Sequence, residues 1–122
     1  MAGGLRLRTN AKRKEFNMLR IYDVMLDVLR LLVPLIALIE RHDRDLGNQL
    51  RRASASVPLN MAEGSGSSGG TRQQRYRTAL GSARETGACL DVALALGYLE
   101  DVQPEVLRKL DAVRATLARL VR

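Results

Sequence analysis

The stretch AEGSGSSGGT, residues 62–71, decides between two fold classes. Gly64, Gly66 and Gly69 spell G-x-G-x-x-G. Gly64, Gly69 and Thr71 also come one residue short of a Walker-type loop, with Gly70 where the lysine would stand. Either motif would make the chain an α/β nucleotide binder, because both loops join a strand to a helix. The residues ahead of the stretch do not read as a strand. Leu46, Leu50, Ala53, Val57 and Met61 recur at steps of three and four, which is one face of a helix. Gly70 has no charge to set against a phosphate. The stretch is therefore predicted to be a flexible linker between antiparallel helices. One weaker option survives: the free N–H groups opening the next helix, with Arg72 beside them, could hold a sulfate or phosphodiester.

Working outward, the same periodicity covers most of the chain. Met18, Ile21, Met25, Val28, Leu32, Leu35 and Ile39 form a seam over residues 15–41. Tyr22, Leu29, Val33 and Ile36 add a second apolar row, wider than one bundle face needs. Pro34 should kink this helix, and Pro58 the second one, over residues 46–63. Thr71 and Gln74 match a capping box, which starts the third helix at Arg72. Tyr76, Leu80, Ala83, Gly87, Leu90 and Leu94 make its row, with Ala79, Ala93 and Leu96 alongside, and Gly97 suits its end. Pro104 opens a fourth helix carrying Val106, Leu110, Val113, Leu117 and Leu120. The fold class is all-α, an antiparallel up-and-down four-helix bundle over residues 15–122. Residues 1–14, charged and without sustained periodicity, read as a flexible basic arm.

With 122 residues the chain is one domain. Its net charge of +7 is uneven: residues 1–20 carry six basic groups against one acid, and residues 41–84 eight arginines against three acids. Such asymmetry suits a polyanionic partner, although a solvated basic face is the plainer explanation. With one Phe, three Tyr and no Trp there is little with which to stack single-stranded bases. The single cysteine, Cys89, forms no internal disulfide and suits a reducing cytoplasm. No secretory signal is evident, and the apolar run starting at Leu31 is shorter than the roughly 20 residues a bilayer span needs. A cytoplasmic protein without membrane insertion is expected.

Catalytic chemistry finds few candidates. His42 is the only histidine, which excludes a two-His metal site within one chain. It is expected to cap or solvate the end of the first helix. Cys89 reads as a small core residue. Glu63 and Glu85 could in principle do acid–base work, but pairing with Arg52 or Arg75 is simpler. No enzyme activity, cofactor or metal is expected. Arg51, Arg52, Arg72, Arg75 and Arg77 flank the 62–71 stretch. They are expected to meet at one end of the bundle as a salt-sensitive phosphate-binding group, with Arg6, Arg8, Lys12, Arg13 and Lys14 as a mobile clamp.

These blocks carry a resemblance. QLRRA at 49–53, SVPLNMAEG at 56–64, Arg75–Tyr76, Gly81, Ser82 and Glu85, and Gly97–Tyr98 resemble, in order and spacing, the four-helix-bundle proteins found within intervening sequences of bacterial 23S rRNA genes. The likeness spans roughly residues 17–122. It implies a bundle assembling into a ring-like homopentamer without established enzymatic activity. It also implies similarity to the accessory protein of diversity-generating retroelements, a basic pentamer that binds a reverse transcriptase and nucleic acid. Ser67 departs from the family's frequent basic residue, which weakens an anion site at the loop tip. An oligomer would cover the extra apolar row, and Asn60, Glu63, Glu85, Arg52 and Arg75 would then form a buried or interfacial polar network. The expected function is a non-enzymatic, oligomeric, nucleic-acid-binding or adaptor module, with RNA, DNA, a reverse transcriptase or another protein as partner. The alternative is a structural or protein-interaction module that binds no nucleic acid.

Overall fold

A computed structural model describes the backbone of residues 2–121 and the side chains of residues 11–121. Among these residues the chain forms four helices: α1 (Ala2–Glu40), α2 (Arg44–Ser65), α3 (Gly69–Ala95) and α4 (Pro104–Leu120). Contacts join α1 to α2, α2 to α3, α3 to α4 and α1 to α4, the ring of neighbours of an up-and-down bundle. The apolar rows meet inside. Ile21, Met25, Val28, Leu32, Ile39, Leu50, Val57, Met61, Leu90, Val106, Leu110 and Leu117 are almost wholly enclosed. Fully burying one such side chain is worth about 1.5–3 kcal/mol, so this seam holds the fold.

Several expectations change in detail. α1 runs from Ala2 rather than from near residue 15. Apolar spacing identifies only the amphipathic part of a helix, whereas Ala, Leu, Arg and Lys favour helix by intrinsic propensity without any such pattern. The side chains of Arg6 and Arg8 lie outside the described residues, and those of Lys12, Arg13 and Lys14 are exposed. Neither proline ends its helix: Pro34 sits exposed within α1, and Pro58 is buried within α2. α2 starts earlier than Leu46, because Asp43 caps it by accepting the Leu46 N–H at 3.0 Å.

The expected capping box at Thr71 and Gln74 does not form. α3 already starts at Gly69, whose φ of +60° is a left-handed value, and no side chain caps it. The linker is thus confined to residues 66–68. Arg72 ties it down, its Nε donating to the carbonyls of Ser67 at 2.9 Å and Gly64 at 3.3 Å. Gly64 O, in the last turn of α2, also accepts the Ser67 N–H at 3.1 Å, so a side chain from the start of α3 reinforces the end of its neighbour.

The other end of α3 follows expectation. Gly97 has a φ of +76°, its N–H donates to Leu94 O at 3.1 Å, and the Tyr98 N–H donates to Ala93 O at 2.9 Å. That pair of bonds is the Schellman arrangement. Tyr98 then stacks on His42, with ring centroids 5.1 Å apart and planes 5° from parallel. His42 therefore does not simply cap α1. It joins the α1–α2 turn to the α3–α4 turn.

α2 and α3 approach closely where Gly64 faces the Tyr76 ring. A Cβ at Gly64 would run into ring carbons of Tyr76 and lie 3.3 Å from Arg75 Cβ. Gly81, by contrast, has no atom within 4 Å of where its Cβ would stand. Gly64→Ala should therefore destabilise the bundle by about 1–3 kcal/mol through overpacking. Gly81→Ala should stabilise it by about 0.5–1 kcal/mol through helix propensity. Urea midpoints of the two variants check this, and equal midpoints would remove the close-approach argument.

Candidate functional site

The five arginines expected at one end of the bundle are separated. Arg51 Nη2 lies 2.6 Å from Glu40 Oε1, at the end where α1 finishes. A helix rises about 1.5 Å per residue, so Arg51 and Arg52 stand roughly 20 Å along α2 from the 66–68 turn. Sequence nearness to a loop does not carry across a helix of this length. Arg72, Arg75 and Arg77 do flank the turn, but differ in what they can do. Arg72 is committed through Nε to the loop carbonyls. Arg75 Nη1 pairs with Glu63 Oε2 at 3.0 Å. Arg77 is exposed and, like Arg52, makes no hydrogen bond or ion pair among the described residues.

The expected polar network also resolves into separate parts. Asn60 Nδ2 donates to Ser56 O at 2.9 Å and to Ser56 Oγ at 3.0 Å, and Ser56 Oγ meets Ser82 Oγ at 2.8 Å. This half-buried cluster stitches α2 to α3. Glu63 and Glu85 lie outside it, both exposed. Glu63 pairs with Arg75 as the simpler reading held, whereas Glu85 Oε1 accepts from Gln49 Nε2 at 3.4 Å rather than pairing with an arginine. On the surface of the single chain, each carboxylate takes the nearest donor across the α2–α3 seam, and no bond links Asn60 to either acid among the described residues.

Sequence reading missed three groups. Ser56 and Ser82 carry the hydroxyl contact across the seam, and the signal for it was small polar residues on both facing rows. Tyr98 gave no sign of stacking on His42. Arg84 escaped notice although it stands one heptad after Arg77, and it too is exposed without a partner among the described residues. The apolar surface is also larger than the core requires. Val33 is 65% exposed, Leu19 62% and Leu96 55%, so Leu96 does not join the row expected of it.

Little here resembles a reaction centre. A cleft of about 480 Å³ opens between α1 and the adjoining ends of α3 and α4, where Met18, Tyr76 and Leu120 meet Lys14, Glu15 and Arg72. Among the described residues no group of three or more His, Cys, Asp or Glu gathers as a metal site would require, and no helix is long and apolar enough to cross a membrane. Cys89 is buried, and burial, then the Glu85 charge, raises its thiol above the ordinary range.

Fold and surface together define a small, strongly basic helical bundle whose polar contacts hold helices in register. The chain belongs to the 23S rRNA-intervening sequence protein family, whose model matches residues 18–119. No curated protein and no solved structure matches it significantly.

Because the thiol is held protonated and enclosed, Cys89 should react slowly with a disulfide reagent in the folded protein and rapidly once unfolded. The native rate should still climb as pH rises past the usual thiol range. Fast labelling at neutral pH would show that α3 opens there.

Proposed function

We propose that this protein is a non-enzymatic, cytoplasmic bundle that assembles with copies of itself, as a pentamer, and binds nucleic acid through its arginines, alone or as an adaptor for a protein partner such as a reverse transcriptase. The observation that carries the reading is the set Arg52, Arg77 and Arg84. These exposed cations lack a carboxylate partner among the described residues, in a chain of net charge +7. Arg51 and Arg75 contribute less, since a phosphate would have to displace Glu40 or Glu63. Membership of the family is in keeping with a non-catalytic role, and the resemblance to pentameric relatives supplies the oligomer size.

Self-assembly draws on the flank of α1. Leu19, Tyr22, Leu26, Leu29 and Val33 follow one another at steps of three and four. All are partly or fully exposed, a stripe of the kind that pairs with another helix. The same stripe favours the second reading, a protein-interaction module without nucleic acid.

Two measurements test these readings. Fluorescence anisotropy with RNA and DNA across a salt series should give binding that weakens steeply with salt. Absence of binding at low salt would leave the interaction module. Light scattering should give an oligomer mass for the native chain and a smaller mass for Leu19→Glu combined with Val33→Glu. A native monomer would overturn self-assembly.

A further inference from the structure

Arg77 and Arg84 are one heptad apart on α3. An α-helix drifts only about 20° over seven residues, so the two lie on one face, separated by roughly 10 Å along the axis. Between them on that face stands Gly81, exposed and with open space where a side chain would be. Ala88, one turn beyond Arg84, is exposed and small. No side chain therefore rises between the two guanidinium groups.

Two of the acids around this strip have partners. Glu85 turns to Gln49 on the α2 side. Asp111 on α4 is held by Arg114, whose guanidinium also lies against Gly87, 2.8 Å from where a Cβ would be. Asp91 stands two turns beyond Arg84. Arg77 and Arg84 thus face solvent across an open helical surface bordered by the Asp111–Arg114 pair. The aromatic rings needed to stack bases are elsewhere: Tyr76 is buried and Tyr98 is stacked on His42.

From this we infer that the outer face of α3, from Arg77 through Gly81 to Arg84, is a seat for the sugar–phosphate backbone of a nucleic acid, with one phosphate at each arginine and no reading of bases. The inference rests on the nucleic-acid reading above and narrows its three arginines to the two that share a face of α3. A residue no larger than alanine at position 81 leaves room for the backbone to approach.

The test is the salt dependence of binding to a duplex of mixed sequence and to a second, unrelated duplex. Arg77→Gln combined with Arg84→Gln should lower the slope of log affinity against log salt by about two, since each phosphate contact contributes about 0.9. Arg51→Gln combined with Arg75→Gln should leave the slope nearly unchanged. Gly81→Glu should weaken binding at least tenfold without lowering the melting temperature, while Gly81→Ala binds as the native chain does. Both duplexes should bind alike. Native binding with an unchanged slope in the Arg77/Arg84 variant would overturn the seat on α3 and leave nucleic-acid binding standing. Failure of the native chain to bind either duplex would overturn both.

Discussion

The closeness of α2 and α3 governs the rest of the structure. Two serine hydroxyls, on Ser56 and Ser82, can meet at 2.8 Å only if the backbones carrying them are drawn together. Gly64 against the ring of Tyr76 imposes the same demand about two helical turns further on, toward the 66–68 loop. The serine contact and the Glu63–Arg75 pair belong to one register: seven residues back along α2 is seven residues forward along α3. The tight 66–68 turn, closed by Arg72, fixes that register at its origin. Once it is set, the position of every other polar group on the two helices follows, including which arginines find a carboxylate.

The energy and the specificity of this arrangement come from different places. The enclosed aliphatic side chains of the four rows supply most of the stabilisation. The ion pairs Arg51–Glu40 and Arg75–Glu63 are largely exposed, and pairs of that kind contribute about 0–1 kcal/mol. The half-buried Ser56–Asn60–Ser82 cluster acts differently, because an unmatched polar group there costs free energy that a slipped register would incur. An aliphatic bundle can tolerate sliding along its seam. A hydroxyl that must meet a hydroxyl cannot.

This division explains what could be read in the sequence. Apolar spacing gave the four helices and nearly all of the core, since a 3.6-residue repeat is a local property. Gly97 and Pro104 were legible for the same reason, each set by the backbone of its own neighbours. The Thr71–Gln74 pattern misled because the same residues allow an earlier start once Gly69 adopts a left-handed φ. The grouping of the arginines misled for a longer-range reason. Arg51 and Arg52 are close to the turn in reading order only, and α2 carries them to the other end of the bundle beside Glu40. The Tyr98–His42 stack depends on two turns meeting, which no local pattern announces.

The register also sorts the arginines by function. A guanidinium already bonded to a carboxylate or to loop carbonyls has spent much of its attraction for an anion, since a phosphate must first replace the partner it has. On α2 and α3, Glu40 at the end of α1 takes Arg51, Glu63 across the α2–α3 seam takes Arg75, and the turn takes Arg72 for closure. Arg44, Arg52, Arg77 and Arg84 are left facing solvent. Of these, Arg77 and Arg84 share a face while Arg44 and Arg52 stand on another helix. The fold thus divides an excess of positive charge, spread along the sequence, into cations held by a carboxylate or a carbonyl and cations left to solvent.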